Sequence, residues 1–198
     1  MDHGRQGKSR EASAGSVNWP GTLLKGRPRL RADLLFRLRS RSPHELWLVI
    51  VDASASTRRH SALSDAKGLL AQLFDDAYRQ RARLALLTAS GRAPSWQVQG
   101  LKASRDLRHW LDGLGAGGGT PLPQALNEAA QWLEQRQRRL PAEQQRVLLI
   151  TDGRLKNLPP PRSLNCPTLL LDIERGPIRL GRARELATRL NAAYQPID

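Results

Sequence analysis

Asp52, Ser54 and Ser56 occupy alternate positions of Asp-Ala-Ser-Ala-Ser, directly after six apolar residues, Leu46 to Val51. One carboxylate and two hydroxyls, separated by small residues that let a loop fold tightly, make a set of hard oxygen donors. Such a set suits Mg2+ rather than zinc. Two further oxygen-bearing residues stand in comparable settings: Thr120, after Gly-Leu-Gly-Ala-Gly-Gly-Gly, and Asp152, in Thr-Asp-Gly-Arg. Each has a plainer reading when taken alone. An aspartate ending a strand can cap a helix, a threonine before proline is an ordinary N-cap, and Asp-Gly is a common turn. Their weight comes from standing together, on loops that a doubly wound sheet would bring side by side.

The elements that would position them follow from hydrophobic periodicity. Leu46–Val51 reads as a central parallel strand, apolar throughout because helices cover both of its faces. Leu63, Ala66, Leu70, Leu73 and Ala77 recur at helical spacing and predict an amphipathic helix over 58–80. Strands are expected at 83–89, at 146–151 and at 167–173, with a short edge strand at 95–99 bounded by Pro94 and Gly100. Ser104 can cap a helix running to the glycine run. A further helix opens at Thr120-Pro121, with Leu122, Leu126, Ala129, Ala130 and Leu133 on its inner face. A helix near 181–191 and a strand near 194–197 close the chain. Alternating strands and helices imply an α/β fold: a doubly wound, mostly parallel, six-stranded sheet with helices on both faces. Ligands of such sheets bind outside the carboxyl ends of the strands, where the strand order reverses.

The 198 residues carry a net charge of +14 and 39% apolar residues, with a sequence pI near 11.4. Half of that charge lies in residues 1–42, where ten Lys or Arg face three acids. Residues 1–17 are expected to be a disordered basic tail, 18–43 a basic arm packing its apolar residues on the main domain, and 44–198 the domain itself. Arg27, Arg29, Arg31, Arg37, Arg39 and Arg41 are candidates for docking an acidic protein partner; the alternative is a solvated, extended linker. One cysteine, Cys166, supports neither an internal disulfide nor a metal framework. The amino terminus lacks the apolar core of a secretory signal, and no apolar run nears the ~20 residues of a membrane helix. A cytoplasmic location with no membrane association is expected.

Taken together, Asp52-x-Ser54-x-Ser56, Thr120 and Asp152 resemble the von Willebrand factor A (vWA) domain and its metal-ion-dependent adhesion site. The resemblance implies a Mg2+ (Mn2+ is possible) held by the serines and the threonine or waters, with both aspartates near or behind the waters. A partner's carboxylate would complete the coordination. The runs DASAS, AKGLLAQLFDDAYRQRARLALLTA, GLGAGGGTPLPQAL, VLLITDGR and LLLDIE narrow it. They resemble the carboxyl-terminal domain of the magnesium chelatase D subunit and the related cobalt chelatase domain of cobalamin biosynthesis. In that family an AAA+ ATPase ring drives metal insertion into a tetrapyrrole held on a large separate subunit, and both would be partners here. This sequence departs from the pattern in three places. The AAA+ module that the resemblance leads one to expect before the linker is not read in residues 1–43, Ala55 stands where glycine is usual, and Thr-Ala-Ser-Gly-Arg replaces a phenylalanine-containing loop.

Enzymatic chemistry within the chain is poorly served. The glycine run lacks the lysine of a phosphate-binding loop, Ser54 and Ser56 lack an oriented histidine base, and the four histidines have no ligand spacing. The expected function is therefore a non-catalytic, Mg2+-dependent docking subunit of a chelatase-type AAA+ complex. Two alternatives are a vWA scaffold serving another AAA+ ATPase and a basic nucleic-acid-binding protein. Nucleic acid is disfavoured because the arm lacks interleaved aromatic side chains for stacking.

Overall fold

The computed structural model describes residues 9–12, 16–39, 45–54, 62–102, 111, 113, 115, 117–155, 162–175 and 180–197. The chain divides into two compact units, Met1–Pro43 and His44–Asp198.

In the first unit, β1 (Ser9–Ala12) and β2 (Ser16–Val17) pair antiparallel with the two edges of β3 (Phe36–Arg39). Disorder was the sequence expectation for residues 1–17, and Ser9–Ala12 and Ser16–Val17 depart from it. Their poverty in apolar side chains says nothing against backbone pairing to a strand 19–30 residues on, which satisfies N–H and C=O groups without a core. Between β2 and β3, Asn18 caps the short helix α1 (Trp19–Leu24), its side chain accepting from the Gly21 N–H at 3.1 Å. The ends of this excursion are tied: Asn18 N–H donates to the Leu35 carbonyl at 2.6 Å, and Leu35 N–H to Thr22 Oγ1 at 3.0 Å.

The second unit is a six-stranded sheet in the order β6-β5-β4-β7-β8-β9. Its strands are β4 (Glu45–Asp52), β5 (Arg83–Ser90), β6 (Ala93–Lys102), β7 (Gln144–Thr151), β8 (Thr168–Asp172) and β9 (Ala193–Pro196). All neighbours run parallel except β6, which returns antiparallel to β5 through a tight turn at Gly91-Arg92. Its helices include α2 (Ala62–Gln80), α3 (Leu122–Arg139) and α4 (Arg182–Leu190). The predicted helix from Ser104 falls largely outside the described residues.

β4 is the hinge of the architecture. Its residues alternate between two cores, as the period of a strand requires. Leu46, Leu48 and Ile50 pack with Leu122, Leu126 and Leu133 of α3 and Leu186 and Leu190 of α4. Val49, Val51 and Ala53 pack on the other face with Ala66, Leu70, Phe74 and Ala77 of α2. The double burial explains why the run carries no polar alternation. The sheet grows from β4 toward β5 in one direction and toward β7 in the other, so the strand order reverses between β4 and β7.

The edge strand is longer than its sequence suggests. β6 runs through both Pro94 and Gly100, which were read as its bounds. Pro94 is tolerated because β6 is the outermost strand, with one edge free of ladder bonds among the described residues. Irregular register against β5, between Leu84 and Leu87, absorbs the remaining mismatch.

The double burial of β4 makes a direct prediction. Leu48→Ala should lower unfolding free energy by about 2–5 kcal/mol in urea titrations, through lost burial and a residual cavity. Leu101→Ala on the exposed edge strand should change it by less than about 0.5 kcal/mol.

Candidate functional site

The reversal between β4 and β7 sets Asp52 at the carboxyl end of one strand beside Thr151 and Asp152 at the end of the next. Asp52 is 0% exposed and Asp152 is 4% exposed. The Asp52 carboxylate is held on both oxygens: Oδ1 accepts the Ser54 N–H at 3.1 Å, and Oδ2 accepts the Thr151 hydroxyl at 2.8 Å. Ser54 is also buried, and its side chain hydrogen-bonds the same carboxylate. The Asp152 Oδ1 accepts the Arg154 N–H at 3.0 Å, closing a turn through Gly153.

Gly153 is fitted to this turn. Its φ is +65°, and a Cβ there would stand 2.4 Å from the Ala183 nitrogen at the start of α4. Only glycine satisfies both constraints.

The third loop is stitched to the first by backbone. Gly117 N–H donates to the Ala53 carbonyl at 2.9 Å, between Asp52 and Ser54. Gly118, with φ +76°, lies so close to the β5–β6 turn that a Cβ would meet Gly91 Cα at 2.6 Å. Thr120 follows on this loop, half-buried. It is not the helix cap, because α3 has Pro121 at that position with no side-chain cap bond. The Ala125 N–H instead bonds the Pro121 carbonyl at 2.9 Å.

The structure thus joins the loops of Asp52 and Ser54, Thr120, and Asp152. Ser56 lies outside the described residues. Arg27, Arg29 and Arg31 are exposed around a short 3-10 turn at Arg31–Asp33. Arg37 and Arg39 lie on β3, and Arg41 is outside the described residues.

Two features were missed from sequence. Thr151 was read only as the end of a strand, yet its hydroxyl is the link between β7 and Asp52. The acids of the LLLDIE run also turn inward. Glu174 accepts from Arg154 Nε at 3.3 Å and from the Leu180 N–H at 2.9 Å. Asp172 accepts the Glu174 N–H at 2.8 Å and the Tyr194 hydroxyl at 2.7 Å. The signal was the repeated placement of a carboxylate at a strand's carboxyl end. Here those acids brace the Asp152 turn and β9.

Burial raises the pKa of Asp52 from 3.8 to about 6. The donations from Thr151 and Ser54 oppose the rise, and the negative charge of Asp152 adds to it. Among the described residues no cationic side chain pairs with either aspartate. Two desolvated carboxylates with only neutral donors form a charge imbalance, and the donors around it are hard oxygens. That chemistry fits a divalent cation such as Mg2+.

The family model for the von Willebrand factor type A domain matches residues 47–154, more than half of the chain and the whole span from the first of these loops to the last. The chain belongs to this family. The magnesium-chelatase 60 kDa subunit of Rhodobacter capsulatus is 31% identical to this vWA protein over 123 residues, 62% of this chain and 21% of that one. The corresponding subunit of Cereibacter sphaeroides is 36% identical over 124 residues, 62% of this chain and 22% of that one. The chain therefore spans about a fifth of the length of these relatives. Among solved structures, the manganese-loaded TRAP protein of Plasmodium vivax superposes with a TM-score of 0.58 at 20% identity, covering 79% of this chain and 69% of that one. That likeness shows the vWA fold. No helix among the described residues is long and apolar enough to cross a membrane.

The raised pKa of Asp52 carries a pH signature. Between 3.8 and about 6 the folded metal-free domain keeps a proton that the unfolded chain has released. Stability therefore falls as pH rises through that window, by up to roughly 3 kcal/mol at about 1.4 kcal/mol per pH unit. Thermal melts in EDTA should show a higher melting temperature at pH 5 than at pH 7.5, and Asp52→Asn should flatten that difference. An unchanged difference in the variant would assign the pH dependence to other groups.

Proposed function

We propose that this vWA chain is a non-catalytic, Mg2+-dependent protein-docking subunit of a cytoplasmic chelatase-type complex. That complex would insert magnesium or cobalt into a tetrapyrrole, as chlorophyll-type and cobalamin pathways require. The observation that carries the reading is the pairing of two buried carboxylates, Asp52 and Asp152, at the strand-order reversal with neutral donors only. The likeness to chelatase subunits supports the choice of complex.

Asp52, Ser54, Ser56, Thr120 and Asp152 would hold the ion, Mg2+ or Mn2+. Bound there, a divalent cation supplies positive charge and an open coordination position. The chain's own part is to orient and desolvate the donors. The Asp52 carboxylate is fixed by Ser54 and Thr151, and the glycine loop, bonded through Gly117 to Ala53, leads to Thr120. A carboxylate from a partner would complete the site, so metal and partner should bind cooperatively. The partners proposed are an AAA+ ATPase subunit and the large tetrapyrrole-binding subunit. The exposed Arg27, Arg29 and Arg31 would add electrostatic attraction to an acidic partner surface. A scaffold for a different AAA+ ATPase would use the same site with another partner.

Affinity capture with the tagged full chain tests the proposal. In Mg2+ the chain should retain an AAA+ ATPase or the large tetrapyrrole-binding subunit from the lysate of its source cell, and EDTA should release it. Asp52→Ala should abolish that capture while the circular-dichroism spectrum is kept. Capture indifferent to both EDTA and Asp52→Ala would overturn metal-dependent docking. Salt-sensitive, EDTA-independent retention of nucleic acid alone would replace it with the nucleic-acid reading.

A further inference from the structure

Thr151 is fully buried at the end of β7 and belongs to none of the five positions of the adhesion-site pattern. Its side chain makes two bonds whose directions are fixed by its chemistry. The single hydroxyl proton goes to Asp52 Oδ2 at 2.8 Å. The oxygen then accepts the Gly153 N–H at 3.0 Å. One hydroxyl therefore touches both halves of the candidate centre: the carboxylate of the first loop and the backbone of the turn that aims Asp152. The main chain of Thr151 is also held, its carbonyl accepting the Ile173 N–H at 3.0 Å. The hydroxyl has little freedom to turn elsewhere.

We propose that Thr151 is a positioning residue for the divalent-cation site, its hydroxyl setting the Asp52 carboxylate and the Asp152 turn in one fixed relation. The inference rests on the metal-docking reading above. The physical argument is preorganisation. Asp52 and Asp152 carry like charges in a buried volume, and nothing cationic among the described residues holds them together. A neutral donor that bonds one and anchors the backbone of the other keeps both in place without occupying the charge that a cation would meet. Residues that orient ligands in this way commonly change metal affinity by about 10–100-fold when removed.

Thr151→Val keeps the branched shape and deletes the hydroxyl, leaving Asp52 Oδ2 and the buried Gly153 N–H without this partner. Thr151→Ser keeps the hydroxyl and deletes a methyl group. The measurement is Mn2+ binding to the full chain by electron paramagnetic resonance of the free ion, with melting temperature in EDTA recorded for each variant. Thr151→Val should weaken Mn2+ binding by about tenfold or more. Thr151→Ser should stay within about threefold of the parent, even where its melting temperature falls as far as that of the valine variant. Should Thr151→Val fail to fold, the serine variant alone decides: parent-like binding despite lowered stability supports the role, and a tenfold loss overturns it. Parent-like Mn2+ binding by a folded Thr151→Val would overturn the inference and leave the metal site standing. No Mn2+ binding by the parent chain would remove the metal reading itself and the inference with it.

Discussion

A carboxylate that water cannot reach is the constraint around which this domain is arranged. Asp52 ends a strand packed on both faces, so nothing in the sheet interior can solvate its charge. Two neutral donors and the loop backbone are what the fold supplies instead. Burying an ionisable group with less than full compensation is costly, and a fold keeps such a group where it is put to use. The rest of the architecture follows from that placement. Parallel pairing of β4 with β7 brings Thr151 within hydrogen-bonding reach of Asp52, at the reversal of strand order where sheets of this kind bind ligands.

Most of this arrangement was legible because the strongest sequence signals are also the strongest physical constraints. The apolar run Leu46–Val51 could be nothing but doubly covered, and the structure divides its residues between two cores. The helix opening after Pro121 followed from its 3–4-residue spacing, and its inner face is the one anticipated. The three loops were nominated because their hydroxyls and carboxylates stand together in one pattern, although each taken alone has a plainer structural reading. The family match spans those same loops.

What escaped the sequence was relational. Thr151 reads as an ordinary β-branched strand residue, and only strand pairing reveals that its hydroxyl faces Asp52. The inward roles of Asp172 and Glu174 likewise show only in the fold, where Tyr194 and Arg154 bond them. Pro94 and Gly100 punctuate the chain, yet an outermost strand tolerates the proline, and the glycine, at φ +68°, falls where the register against β5 breaks. At the amino terminus, composition measured the absence of a core and was silent on backbone pairing with Phe36–Arg39.

The glycine loop also has a mechanical meaning. Gly117 is bonded to the backbone of Ala53 on one side, and Gly118 and Gly119 lie against Gly91 on the other. The segment leading to Thr120 is therefore wedged between two pieces of main chain, with no side chain between them to yield. A side chain at Gly118 or Gly119 would have to push the main chain at Gly91 aside, so the β5–β6 turn tolerates this loop only while both positions stay bare of a Cβ.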